Sequence, residues 1–170
     1  MLIPVFVSSP RDLNEAQDAA FRTILGEVGR VGLEARSLGR TDYPTSFPLR
    51  EVFQLAKHCA GGLVLGFARF GTNGGIWKSG TPKETKLKGG HRVVFPTPWN
   101  HLEAGILFAL GVPLLVFREE GISEGVFEIG TTDLFVQEMP MGKLSLTHRK
   151  SLRDILRKWG AQVQTHYYGR

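Results

Sequence analysis

Short apolar runs alternate along the chain with longer segments in which apolar residues recur every three or four positions. The runs predict buried strands near residues 5–7, 33–38, 62–67, 112–117 and 134–136. The periodic segments predict four helices, which begin near Asp12, Leu49, Thr97 and Ser145. The chain therefore reads as strands and helices in regular alternation.

Strands that alternate with helices pair in parallel through right-handed crossovers. We therefore predict an α/β fold, a three-layer flavodoxin-like sandwich around a mostly parallel five-stranded sheet. The 170 residues suit one domain, 1–170, whose last helix at about 145–159 is amphipathic. The segment 71–95 has six glycines and no sustained period, so we interpret it as a long irregular loop.

Composition is that of an ordinary globular protein, with 42% apolar and 22% charged residues. No apolar run approaches the roughly 20 residues that span a bilayer, and the first residues lack the basic segment of a secretory signal. The single cysteine, Cys59, cannot form an intrachain disulfide, as in a reducing compartment. We therefore expect a cytoplasmic protein without membrane contact.

Most of the net charge of +5 comes from the segment 71–95, where five basic residues accompany only Glu84. Such a local cluster indicates an anionic partner or a solvated loop better than it indicates a DNA-binding face. Nucleic acid is therefore not an expected partner. The candidates for binding the phosphates of a smaller ligand are Lys83, Lys86, Lys88 and Arg92.

Several familiar catalytic signatures are absent from the sequence: a glycine-rich dinucleotide or Walker motif, zinc-ligand spacing and a serine nucleophile elbow. No metal is expected. In a parallel sheet the ligand site lies at the carboxyl ends of the strands, where polar and aromatic side chains collect here. The candidate substrate-binding residues are Ser8, Ser9, Arg40, Asp42, Phe67 and Trp99, with Arg69 nearby and Glu103 on the following helix.

Trp99 and Glu103 are four residues apart and therefore share one face of the predicted helix. Together they can form one wall of a pocket. On spacing alone, however, the plainer interpretation is favoured, in which Trp99 anchors the core and Glu103 is solvated.

Three short motifs resemble those of Toll/interleukin-1 receptor (TIR) domains. Val5-Phe6-Val7-Ser8-Ser9 resembles the first conserved box of that family, and Arg40-Thr41-Asp42-Tyr43-Pro44 is similar to its loop after the second strand. Trp99-Asn100-His101-Leu102-Glu103 resembles its Trp-x-x-x-Glu helix start, with Asn100 where many members have cysteine. The order of elements matches over residues 1 to about 140.

The same helix also resembles that of nucleoside deoxyribosyltransferases, which carries a nucleophilic glutamate in a Glu-x-Gly context. Glu103-Ala104-Gly105 fits this context, and a Gly-Val-Pro turn follows at 111–113. Both families have a glutamate at this position and break an N-glycosidic bond. The two resemblances therefore make Glu103 the candidate catalytic residue.

The TIR resemblance implies an enzyme that hydrolyses the N-glycosidic bond of NAD, a defence or signalling effector activated by self-association into a homo-oligomer. NAD is then the substrate, and no cofactor is expected. Nicotinamide departs from a bond in which it is already cationic, so one carboxylate that stabilises the ribose cation suffices. Two alternatives stay open: a nucleoside or nucleotide N-glycosidase or deoxyribosyltransferase, and a non-catalytic module that senses a nucleotide or joins protein partners.

Overall fold

The computed structural model describes residues 2–43, 47–130 and 136–169. In these residues nine strands and four helices follow one another: β1 (Ile3–Ser8), α1 (Glu15–Arg30), β2 (Leu33–Arg36), α2 (Pro48–Lys57), β3 (Gly62–Gly66), β4 (Phe70–Thr72), β5 (Ile76–Trp77), β6 (Thr85–Lys86), β7 (Val93–Phe95), α3 (Pro98–Ala109), β8 (Leu114–Arg118), β9 (Val136–Glu138) and α4 (Leu146–Tyr168). None of the described helices is long and apolar enough to cross a membrane.

Five strands form the central sheet in the order β2-β1-β3-β8-β9, and all four neighbouring pairs are parallel. This is the flavodoxin-like order, in which the chain reverses its direction of travel between β1 and β3. The predicted fold class is confirmed.

Helices cover both faces of the sheet. Side chains of β1 alternate between them: Val5 and Val7 join the core beneath α1 and α4, whereas Phe6 joins the core beneath α2 and α3. Residues 62–66 of β3 are all buried, because a parallel sheet enclosed by helices has no solvent face. The alternation produces the three predicted layers.

Several helix and strand bounds differ from the predicted ones. The last helix continues from Trp159 to Tyr168, because its buried stripe extends to Val163 and Gly160 packs against Val31 instead of ending the helix. The first helix begins after Asn14, whose side chain caps it. For the predicted strand 134–136, only Val136 lies within the described residues, and it begins β9.

The predicted irregular loop is instead a narrow antiparallel ribbon. β4 pairs with β7 and β5 pairs with β6, and we call residues 70–95 the arm. The strands of the arm are only two or three residues long, so they leave no recognisable alternation in the sequence.

Candidate active site

A cavity of about 550 Å³ opens at the carboxyl edge of the sheet, beside β1 and β3. Its walls come from the loop after β1, the residue Leu38 after β2, the first half of α2, the loop after β3 and the first turns of α3. Open α/β sheets bind ligands at this point, because the loops that follow β1 and β3 diverge to opposite faces and leave a crevice.

The start of α3 places two side chains on the wall of this cavity. Thr97 caps the helix by accepting a hydrogen bond from the backbone N–H of Trp99 at 3.4 Å, and Pro98 occupies the first turn, where its missing N–H costs nothing. Trp99 is 40% exposed and lines the cavity, as Glu103 does one turn later. The structure therefore brings together the pair that the spacing suggested.

Two carboxylates line the cavity: Asp12, which is exposed, and Glu103, which is half-buried on α3. Burial raises the pKa of the Glu103 carboxyl to about 7, against a smaller lowering by the hydrogen bond with Ser8. Near neutral pH this group therefore exists in both protonation states. Such a carboxyl can act as a base, as a nucleophile or as an electrostatic stabiliser.

Ser8, at the end of β1, connects Glu103 to a fully buried asparagine. The Asn100 amide nitrogen donates to the Ser8 hydroxyl oxygen at 2.7 Å, which leaves the hydroxyl hydrogen of Ser8 for the Glu103 carboxylate. Asn100 and Ser8 are 0% and 1% exposed. The chain from Asn100 through Ser8 to Glu103 therefore fixes the orientation of the carboxylate from behind.

Two arginines also line the cavity. Arg11 comes from the loop after β1, and its guanidinium lies against Gly39, whose φ of +77° favours glycine. Arg69 follows β3, and its backbone N–H donates to the Phe95 carbonyl at 2.9 Å. Both side chains are exposed to a ligand that enters from solvent.

The loop that carries Arg69 is also held by side chains of other elements. The Glu119 carboxylate accepts hydrogen bonds from the Ala68 backbone N–H at 2.8 Å and from the Gln17 amide at 2.9 Å. The same Gln17 amide donates to the Ala68 carbonyl at 3.0 Å. These hydrogen bonds therefore fix the loop after β3, which forms this side of the cavity.

Arg40 does not line the cavity, which differs from the prediction. Its guanidinium donates to the carbonyls of Pro10 at 2.8 Å and Arg11 at 2.7 Å, and lies 4.7 Å from the centre of the Phe21 ring. Arg40 instead holds the loop on which Arg11 and Ser9 are carried.

Asp42 and Phe67 are also placed away from the cavity. Asp42 pairs with Arg36, and this bond lowers the pKa of its carboxyl; the pair borders a separate cavity of about 390 Å³. Phe67 is 0% exposed and packs in the core, so it offers no surface to a ligand in this structure. Neither residue is positioned for the predicted contact with the substrate.

The candidate phosphate-binding residues all lie on the arm, where none of them borders the cavity of Glu103: Lys83, Lys86, Lys88 and Arg92. The side chain of Arg92 packs against Gly71 of β4. The cations that line the cavity together with Glu103 are therefore Arg11 and Arg69, not those of the basic segment.

Two residues of the site were missed by sequence reasoning. Arg11 follows Ser8-Ser9-Pro10 directly, so its place at the end of a strand was a usable signal. Asn100 gave no such signal, because an asparagine in the first turn of a helix is ordinarily solvated, and only the packing of α3 on β1 buries it.

No family model and no curated protein matches the sequence. Among solved structures, the chain is similar to a CMP N-glycosidase of Clostridium botulinum, BcmB, with a TM-score of 0.50 and 12% sequence identity. The likeness covers 89% of this chain and 96% of that one. At this identity it concerns the fold, and it agrees with the three-layer sandwich described above.

Proposed function

We propose that the chain is an N-glycosidase that hydrolyses the bond between the base and the ribose of a nucleotide, with Glu103 as the catalytic carboxylate. The observation that carries the proposal is the half-buried Glu103 carboxyl, which lines a cavity at the carboxyl edge of the sheet and has a pKa raised to about 7.

The lining of the cavity suits a nucleotide. Its volume of about 550 Å³ lies within the range of small-molecule sites, about 300–1,000 Å³. The half-exposed indole of Trp99 offers a surface on which a base can stack. Arg11 and Arg69 offer guanidinium groups that match the geometry of a phosphate.

The chemistry needs little more than a fixed negative charge. The C1′–N bond breaks, its electron pair leaves with the base, and the base takes up a proton from solvent water. Positive charge then develops on the ribose at C1′, where ionised Glu103 stabilises or captures it. Water finally adds its hydroxide to C1′ and releases a proton. Because the ionised carboxylate is required, turnover should rise with pH through about 7.

The comparison with solved structures supports this choice between the two resemblances. The similar structure is that of a CMP N-glycosidase, and CMP is a nucleoside monophosphate. It favours the likeness to nucleoside-processing enzymes over the likeness to TIR domains, and cleavage of NAD receives no support from it. NAD remains a substrate to be tested beside the nucleotides.

The test is a panel of substrates. The purified protein is incubated separately with CMP, the other nucleoside 5′-monophosphates, the corresponding nucleosides and deoxynucleosides, and NAD, and the released base is measured by chromatography. We expect release of base from a monophosphate, and slower release from the matching nucleoside, because the nucleoside lacks the group that Arg11 and Arg69 would bind.

Two variants accompany the panel. Glu103→Gln keeps the shape and removes the charge, so it should abolish the release of base, whereas Glu120→Gln makes the same change at an exposed position and should have no effect. Full activity of Glu103→Gln, or no release of base from any substrate, contradicts the proposal. Release of nicotinamide from NAD alone would favour the TIR-like hypothesis instead.

A further inference from the structure

The arm carries five basic residues, and all of them are exposed: Lys78, Lys83, Lys86, Lys88 and Arg92. None of them forms a salt bridge with an acidic residue in the described part of the chain. On α4, Arg153 pairs with Glu27 and Arg157 pairs with Asp154, both at 3.3 Å, whereas Arg149, Lys150 and Lys158 also form no salt bridge among the described residues. The charge of the arm is therefore available to an external anion.

The one acidic residue of the arm is engaged in its tip. The Glu84 carboxylate accepts a hydrogen bond from the backbone N–H of Gly80 at 2.7 Å, within a turn where Gly80 has a φ of +74°. Glu84 thus helps to shape the turn between β5 and β6. The lysines around it keep a positive field over the ribbon.

Aromatic side chains accompany these cations. Phe70 is 63% exposed at the root of the arm, and Trp77 is 37% exposed on β5. The Trp77 ring is braced by Phe95, with the ring centres 6.1 Å apart and the planes tilted by 50°. Beside these two rings lies a cleft of about 130 Å³, much smaller than the site of Glu103 and suited to a single flat group.

We propose that the arm binds single-stranded nucleic acid, with backbone phosphates on the lysines and bases stacked on Trp77 and Phe70. Cations that track a phosphate backbone, together with aromatic rings that take successive bases, are the two components of single-strand binding. A duplex keeps the faces of its bases inside the stack, so the exposed rings favour a single strand. The sequence analysis interpreted this segment as an irregular loop and did not expect nucleic acid as a partner. The proposal differs because the segment is a ribbon that holds the aromatic rings and the lysines together.

The arm begins and ends at the edge of the candidate active site. Arg69 lies on the cavity and directly precedes the arm, and its N–H bond to Phe95 joins the two ends of the ribbon. A single-stranded nucleic acid bound to the arm would therefore approach the cavity. Its binding, however, needs no chemistry at Glu103, so the inference stands independently of the proposed glycosidase activity.

The test is fluorescence anisotropy of the full chain with labelled single-stranded oligonucleotides of about 20 residues, long enough for several contacts, and with the matching duplex. The triple variant Lys83→Ser, Lys86→Ser, Lys88→Ser should bind the single strand about tenfold or more weakly, and should lower the slope of log affinity against log salt by about two. The control triple is Lys143→Ser, Lys150→Ser, Lys158→Ser, which removes three exposed lysines elsewhere. We expect the control to bind like the wild type.

A second pair of variants isolates stacking from charge. Trp77→Ala should weaken binding of the single strand several-fold without changing its salt slope, and Trp77→Phe should restore most of the affinity. Circular dichroism checks that each variant is folded.

Four outcomes would overturn the inference. They are no saturable binding by the wild type at about 100 μM protein in low salt, equal losses in the two triple variants, unchanged binding after Trp77→Ala, and displacement of the oligonucleotide by vesicles of phosphatidylserine and phosphatidylcholine. The last result would assign the arm to a membrane surface.

Discussion

The cavity and the arm both present cations to solvent, but they differ in what surrounds the charges. In the cavity, Arg11 lies against Gly39, and Glu103 is connected through Ser8 to buried Asn100. On the arm, the lysines extend into solvent and have no acidic partner in the described part of the chain. The basic residues of segment 71–95 were the phosphate-binding candidates of the sequence, whereas the half-buried carboxylate and its hydrogen-bonded support lie in the cavity.

This difference separates two uses of charge. A carboxylate held in a partly desolvated site acts strongly on a charge that develops beside it, and it needs no reorganisation to do so. Lysines on an exposed ribbon act as mobile point charges that salt screens, which suits adjustable binding of a polyanion. On the two proposals above, the cavity performs the chemistry and the arm provides the binding.

The strongest test of this assignment measures both activities in both variants. Glu103→Gln should lose about a thousandfold or more of the base-releasing activity, because it removes a group that acts on the reacting atoms. It should leave oligonucleotide affinity unchanged. The arm triple at Lys83, Lys86 and Lys88 should show the reverse pattern with a mononucleotide substrate.

A loss of turnover in the arm triple would break the comparison. It would restore the prediction from the sequence that these lysines bind the phosphates of the substrate.

The next largest effect concerns Trp99. Replacing a surface on which a base stacks costs about 1–3 kcal/mol per base, so Trp99→Ala should lower kcat/KM by about 10- to 100-fold. Its melting temperature should change little, because the side chain is 40% exposed. Steady-state kinetics and a thermal melt on the same preparation measure both effects.

Trp159 is the matched control for this prediction. It is 3% exposed, and its indole N–H donates to the Pro113 carbonyl at 3.1 Å. Trp159→Ala should therefore cost about 3–5 kcal/mol in folding free energy. A collapsed melt for Trp99→Ala, similar to that of Trp159→Ala, would show that Trp99 is a core anchor after all.

The fold was predictable because burial of a parallel sheet on both faces leaves a strong mark on the sequence. Apolar runs such as 62–67 can hardly be anything but enclosed strands, and the helices between them impose parallel pairing. The pair Trp99 and Glu103 was predictable for a similar reason, since residues four apart on a helix share a face.

The direction and partners of individual side chains were not predictable. Arg40 lies in the loop after β2, where a ligand contact was predicted, but its Nη2 donates to the carbonyls of Pro10 and Arg11 instead. Phe67 directly follows β3, and its 0% exposure shows that it faces the core instead of the crevice. Both outcomes depend on contacts between distant segments, which a local pattern does not contain.

A smaller effect, on the pH dependence of turnover, should follow from replacing Ser8, which connects β1 to α3. Ser8→Ala removes the hydrogen bond that lowers the pKa of Glu103, so that pKa should rise further and the acid limb of the pH–kcat profile should move to higher pH. Loss of a hydrogen bond to a charged group predicts roughly tenfold lower turnover at about pH 6, and much less loss at about pH 9.

Ser9→Ala is the control for Ser8→Ala. The Ser9 hydroxyl lies on the same loop but donates to the Pro10 carbonyl at 3.2 Å, so its removal should leave the pH profile in place. Identical pH profiles for the wild type and Ser8→Ala would contradict the orienting role of Ser8.

The smallest predicted effect is on stability, and its sign follows from the pKa of Glu103. The folded pKa of about 7 lies above the ordinary value of 4.5, so between these values the folded chain holds more protons than the unfolded chain. Folding free energy is therefore lost as the pH rises from 4.5 to about 7, and the loss is complete above that value.

Glu103→Gln removes this loss, because its side chain has no charge to bury. The variant should be more stable than the wild type by about 1–3 kcal/mol at pH 8, towards the lower end because water enters the cavity, and nearly equal to it at about pH 4.5. Each kcal/mol corresponds to about 2–4 °C in the melting temperature of a chain of this length. Thermal melts of the wild type, Glu103→Gln and the exposed control Glu120→Gln across this pH range measure it. A stability difference that does not vary with pH would mean that the Glu103 carboxyl is solvated, and the distinction between the buried charge of the cavity and the free charge of the arm would then be lost.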